Sequence, residues 1–272
     1  MKNSYLLTLN KVNLVYRALP ALRDIDLLIE PGQQWACLGP NGAGKTSLAR
    51  VISSQASHAS GEIQRSQTLD AMGVAYVCFE EAKALCDRDK KLDDSEFRAD
   101  AHDPGTRVAD VILQGRQSDE HFRHWVERLH FGHRLRRGLR YISTGEMRKT
   151  LLIRAILSHP ALLILDSPLD GLDRDSQAEM LSIIDELLQS DITLMILCRQ
   201  LEDVPQLVSH VLVLDEGEVR ACGPRNQVMS DEDIRILMDP PLPQLSSLPA
   251  PAPRPYDLPP AGPLLELREV QV

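Results

Sequence analysis

The sequence predicts an α/β fold, a parallel sheet flanked by helices and joined to an antiparallel β subdomain and a small helical subdomain. Three observations predict it. Gln34-Trp-Ala-Cys-Leu38, Met72–Phe79, Ala161–Leu165 and Ile192–Cys198 are short, almost unbroken apolar runs, the pattern of strands buried on both faces. Residues 6–30 instead alternate apolar and polar, as antiparallel strands with one solvated face do. From Val108 to Leu135 the spacing changes to three and four, through Val111, Ile112, Phe122, Trp125, Val126 and Leu129, which is helical.

Taken in order, Leu6–Tyr16 is the first strand. A turn at Ala18-Leu-Pro-Ala21 leads into a second strand over Leu22–Glu30. Pro31-Gly32 then closes a hairpin into the strand Gln34–Leu38. Tyr16 is open to two roles, a core aromatic or a platform on which a base stacks. Gly39-Pro-Asn-Gly-Ala-Gly-Lys-Thr46 follows and matches G-x-x-x-x-G-K-[ST] at every fixed position. Gly42 and Gly44 let backbone N–H groups turn toward an anion. Lys45 brings an ammonium to the β- and γ-phosphates, and the Thr46 hydroxyl suits a hydrated Mg²⁺. The helix Ser47–Ile52 aims its positive N-terminus at the same place. Gly39, Pro40, Asn41, Gly42, Ala43, Gly44, Lys45, Thr46 and Ser47 are therefore the candidate nucleotide contacts.

Ser60-Gly-Glu-Ile63 marks a turn and an edge strand, and Met72–Phe79 a buried one. Lys83–Thr106 is charged and poor in aromatics; it reads as a mobile surface insertion without chemistry. His133-Arg-Leu-Arg-Arg-Gly-Leu-Arg140 is either a nucleic-acid patch or a solvated face, and the acidic chain favours the second. Ser143 N-caps an amphipathic helix running through Leu157. Ala161–Leu165 delivers Asp166 to the C-terminal edge of the sheet, the expected second contact for Mg²⁺. Gly171–Asp175 turns into a helix through Leu188. Val211–Leu214 and Glu218–Ala221 form a hairpin, and Ile234–Leu237 belongs to a last short helix.

Composition narrows the function classes. A formal charge of −9 over 272 residues gives no general attraction for nucleic acid or anionic lipid. The five cysteines, Cys37, Cys78, Cys86, Cys198 and Cys222, lack metal-site spacing and read as reduced, buried thiols. No apolar stretch is long enough to cross a bilayer, so the expected place is the cytoplasm, free or docked at the inner face of the membrane. Ten prolines between Asp239 and Pro263 exclude a packed core there and predict a stiff linker. Leu264–Val272 repeats the beat of Leu6–Leu14 and reads as the first strand of a second, similar module. The expected domains are 1–238, with a helical subdomain at about 107–158, then the linker 239–263 and the strand 264–272.

The phosphate loop, Ile142-Ser-Thr-Gly-Glu146, Leu163-Ile-Leu-Asp166 and Gly171-Leu-Asp173 stand in the order and at the separations found in ABC-type ATPases. The chain resembles that family over nearly all of residues 5–237, and within it the N-terminal half of ModF-type tandem ATP-binding proteins, also labelled photorepair proteins. The resemblance implies the ABC form of the phosphate-loop fold, with ATP and Mg²⁺ as cofactors. It also implies two modules, or two copies, packed head to tail around two nucleotides. Each nucleotide then touches the loop of one module and the signature of the other. On that basis Tyr16 stacks on adenine, while Ser143 and Gly145 act in trans. Membrane subunits and molybdate-related transport follow by family analogy alone. The alternatives are an ATPase acting on nucleic acid or ribosomes, against which the acidic total speaks, and an ATP-sensing regulator.

The departures from the family concern water. Where the family places Glu after the aspartate, this chain has Ser167, which cannot act as a carboxylate base. Where it places His after the next strand, the chain has Arg199, a donor without an acceptor. The glutamine expected near Phe79 is missing, with Glu80 or Glu81 nearest. Lys45 and Asp166 remain, so binding with weak turnover is the expectation.

Overall fold

The computed structural model describes residues 5–91 and 105–239. Strands β1 (Leu7–Tyr16), β2 (Leu19–Ile29) and β4 (Ala59–Arg65) form an antiparallel sheet in the order β2-β1-β4. β1 buries Leu7, Leu9, Val12 and Leu14. The step of three between Leu9 and Val12 is made by a register shift at Lys11, whose φ is 48°. A bulge there restores the inward side of the strand. The turn is tighter than expected from sequence: Arg17 and Ala18 both have positive φ, 46° and 70°, and form a two-residue hairpin loop. Leu19 and Pro20 already belong to β2, where proline is tolerated because the strand is an edge.

The second sheet has the order β5-β6-β7-β3-β8-β9, with β3 (Trp35–Leu38), β5 (Val74–Val77), β6 (Leu162–Asp166), β7 (Thr193–Cys198), β8 (His210–Asp215) and β9 (Glu218–Pro224). All neighbours are parallel except β8 and β9. The hairpin expected at Pro31-Gly32 is therefore not one. β3 pairs with β7 and β8 and leaves β2 in the other sheet. A strand with all four side chains buried needs cover on both faces, which only a central position supplies. Trp35 and Cys37 enter one apolar core with the antiparallel sheet, and Ala36 and Leu38 enter the other with the helical subdomain.

Around the sheets run α1 (Lys45–Ile52), α2 (Gln67–Met72), α3 (Phe79–Lys91), α4 (Val108–Leu113), α5 (Glu120–Arg128), α6 (Thr144–Ile156), α7 (Arg174–Leu188), α8 (Arg225–Val228) and α9 (Glu232–Met238). The insertion expected over 83–106 is corrected on both sides of its centre. Residues 83–91 complete α3, whose Leu85 and Cys86 pack on the core. Asp89 accepts hydrogen bonds from the Thr106 backbone N–H at 2.7 Å and hydroxyl at 2.6 Å, tying the far side back. Its many charges hid a helix anchored by a few contacts. The remainder, 92–104, and everything from residue 240 on, including the proline-rich linker and the repeated strand, lie outside the described residues.

Parallel pairing has a functional consequence. Leu38 is level with Cys198, and Asp166 with Leu197, so β3, β6 and β7 end at one edge. The phosphate loop, Ser167 and Arg199 each begin there.

Candidate functional site

A cleft of about 490 Å³ opens at that edge. Its floor is the loop from Asn41 to Ser47. One wall is Pro20, Ala21 and Arg23 of β2 with Glu216 and Gly217, and the other is Asp166, Ser167, Asp170 and Arg199. Gly39 and Pro40 stand behind the floor, where their carbonyls accept from Lys45 Nζ at 2.6 and 2.9 Å. Gly44 has φ 103°, and a Cβ there would come within 2.9 Å of the Ala21 carbonyl, so the loop's path needs glycine.

Lys45 is 7% exposed, and burial holds its ammonium below the ordinary value. Its two hydrogen-bond partners are neutral carbonyls, which leaves a cation suited to an incoming anion. The Thr46 hydroxyl donates to Asp166 Oδ2 at 2.8 Å. A hydroxyl and a carboxylate at that separation fit the hard oxygen set that Mg²⁺ takes, and the cationic loop beside them fits a phosphate chain.

Sequence reasoning missed Tyr76. Its hydroxyl also donates to Asp166 Oδ2, at 2.8 Å, from β5 next door. Burial first and the Asp166 carboxylate second push the phenol up, so it stays a donor. A phenol within an apolar strand was the only signal. Arg148 was missed as well. It is 9% exposed on α6, donates to the Ser167 carbonyl at 2.7 Å and also bonds the Asp170 carbonyl. That grip secures Ser167 at φ 48°, a conformation a side-chain-bearing residue adopts at a cost.

Ser167 turns its hydroxyl onto Asp166 Oδ1 at 3.2 Å. Arg199 Nη1 meets Asp170 Oδ2 at 2.8 Å, and that carboxylate raises its pKa. Other predicted residues are elsewhere. Tyr16 is exposed and does not line the cleft. Glu81 pairs with Arg154 at 2.6 Å, and the Glu80 side chain is outside the described ones. Ser143 and Gly145 also stand apart from the cleft. Ser143 caps α6 in a capping box with Glu146, and a Cβ on Gly145 would meet Ser176 Oγ at 3.3 Å. In the basic stretch, Arg134 pairs with Glu146 and Arg140 lies over the Tyr141 ring, so neither cation simply faces solvent. Among the cysteines, Cys37 and Cys198 are buried as expected, Cys78 and Cys86 half-buried, and Cys222 is exposed on β9. Burial pushes Cys37 up to about 12, so its thiol is inert.

Residues 22–170, from the second strand through the Asp166 turn, match the ABC transporter family model. The chain belongs to that family. ATP-binding domains of ABC transporters bind ATP with Mg²⁺ and hydrolyse it, and they pair with one another and with membrane subunits. Over 204 residues the chain is 29% identical to the ABC transporter ATP-binding protein ModF of Escherichia coli (strain K12), covering 75% of this chain and 41% of ModF. Over 184 residues it is 34% identical to the zinc import ATP-binding protein ZnuC of Yersinia enterocolitica, covering 68% of this chain and 66% of ZnuC. A nucleotide-free ATP-binding cassette from an ABC transporter superposes with a TM-score of 0.67 at 18% identity, over 86% of this chain and 98% of that one. At that identity the likeness is one of fold. Among the described residues no helix is long and apolar enough to cross a membrane.

Proposed function

We propose that this chain is one ATP-binding module of a ModF-like tandem ABC ATPase, and that its own cleft holds Mg-ATP but turns it over slowly. The observation that carries this reading is the split between the two sides of the cleft. The loop, Lys45 and the Thr46–Asp166 pair are complete, while Ser167 and Arg199 occupy the positions from which a carboxylate and an imidazole would handle water. In this reading Gly39–Ser47 wraps the phosphates, Lys45 neutralises the β- and γ-phosphates, and Thr46 and Asp166 hold magnesium. Tyr16 stacks on adenine from the rim, on the same hairpin that supplies Pro20, Ala21 and Arg23 to the wall. Ser143 and Gly145 serve the nucleotide of the second module, consistent with their standing apart from this cleft.

Closing of the paired modules then moves a membrane subunit from the cytoplasmic side. Similarity to ModF and to a zinc import ATPase supports transport as the context, and molybdate as the cargo rests on family analogy alone. The test is binding and turnover on the same preparation. Mg-ATP should bind in calorimetry while steady-state hydrolysis stays about 10²-fold or more below that of family members with Glu and His in place. Brisk hydrolysis by this chain alone would refute the impaired site.

A further inference from the structure

The wall formed by Asp166, Ser167, Asp170 and Arg199 holds an ion pair. Arg199 Nη1 and Asp170 Oδ2 are 2.8 Å apart, and both residues line the cleft. The two partners are not equally free. Asp170 sits in a turn closed by its own N–H to the Ser167 carbonyl at 3.2 Å, and buried Arg148 grips the carbonyls of both residues. Arg199 follows β7 directly; the two side chains are about equally exposed, 44% and 42%, so the difference lies in the backbone bonds that hold Asp170 and in the longer arginine side chain.

The metal-binding pair lies on this same side, since Asp166 is the residue before Ser167. Thr46 and Asp166 would hold magnesium beside the end of the phosphate chain, and Arg199 lines the same cleft, so a triphosphate on the loop would bring its terminal phosphate toward Arg199. A diphosphate stops one phosphate short. The terminal phosphate and the Asp170 carboxylate therefore compete for one guanidinium, and phosphate offers it the stronger bidentate partner.

We propose that the Arg199–Asp170 pair is a counterion latch which a triphosphate displaces and a diphosphate leaves closed, making these two residues the determinants of ATP over ADP preference. The inference rests on the cleft being the nucleotide site.

Calorimetry of the whole chain with Mg-ATP and with Mg-ADP tests it through the ratio of the two affinities. Removing the competing charge with Asp170→Asn should raise the ATP/ADP ratio about two- to fivefold, the range expected of an exposed ion pair. Arg199→Gln should lower the ratio about tenfold, the loss of one charge-assisted phosphate contact. In the Arg199→Gln background, Asp170→Asn should then have no further effect. If it raises the ratio equally with and without Arg199, Asp170 merely repels the nucleotide and the latch is wrong. A ratio unmoved by Asp170→Asn overturns the latch while leaving the cleft reading intact. Failure of the unmodified chain to bind either nucleotide overturns both. Both side chains are surface groups, and thermal melts of each variant confirm the fold; Arg199→Lys, which keeps the charge, should retain part of the preference.

Discussion

The two sides of the cleft are built on different physical plans. The phosphate-loop side is made of backbone carbonyls and N–H groups, a glycine whose conformation other residues resist, and a lysine that is 7% exposed. The facing side is made of side chains at the ends of two strands, with Ser167, Asp170 and Arg199 half-buried or exposed. Changing a residue on the first side disturbs the core beneath it. Changing one on the second alters chemistry at little cost in stability. In the function proposed above, this difference is what lets the loop side hold a triphosphate while the residues on the facing side vary.

The sharpest way to break that comparison is to rebuild the facing side. The pair Ser167→Glu with Arg199→His should raise steady-state ATP hydrolysis by about 10²-fold or more, the usual worth of a general base. Ser167→Glu alone should do little while Arg199 remains. Full activity from either single change would show that the missing groups are not both limiting. On the loop side, Lys45→Ala should weaken Mg-ATP by about 10²-fold or more, because the phosphates lose a desolvated cation. Unaltered affinity in calorimetry would mean the cleft is not the nucleotide site.

A smaller effect separates what holds Asp166 from what replaces its neighbour. Tyr76→Phe removes one of the two hydroxyls that meet Asp166 Oδ2 and leaves the ring in the core. Its expected consequence is a fall of about tenfold in Mg²⁺ affinity measured by titration in the presence of ATP, the lower end for a partner that orients a metal ligand. ATP affinity without metal should hardly move. Equal losses with and without Mg²⁺ would make Tyr76 a packing residue only.

Legibility in the sequence followed the same division. The loop was readable because its geometry admits few residue types, and Asp166 because an apolar strand points at it. The helical spacing of Phe122, Trp125 and Val126 and the cap at Ser143 were readable because helices write their period locally. What could not be read depends on neighbours distant in sequence. Tyr76 matters only because β5 lies beside β6, and Asp170 only because β7 places Arg199 next to it. Pro31-Gly32 looked like a hairpin turn because sequence gives the turn and not the sheet its strands join. The charged stretch of α3 misled because its anchoring rests on Asp89, Leu85 and Cys86 rather than on a full apolar face.

The smallest effect concerns the start of α6, where the comparison predicts a change in stability and none in this cleft. Glu146 closes the capping box on the Ser143 N–H at 2.8 Å and pairs with Arg134. Burial pushes its carboxyl up, but the Ser143 backbone bond and the Arg134 charge outweigh this and leave it below the ordinary 4.5. A carboxyl depressed in the folded state adds stability that is fully present above the unfolded value. Below about 4.5 the unfolded chain takes up the proton first, and the contribution fades until the folded carboxyl is protonated too. Glu146→Gln keeps a capping amide but loses the charge pair, at a cost of about 1 kcal/mol or less near neutral pH. Urea unfolding of both proteins should show a constant difference down to about pH 5 and a shrinking one below it. A difference that stays flat or widens on acidification would mean that the Arg134–Glu146 charge pair does not stabilise the start of α6.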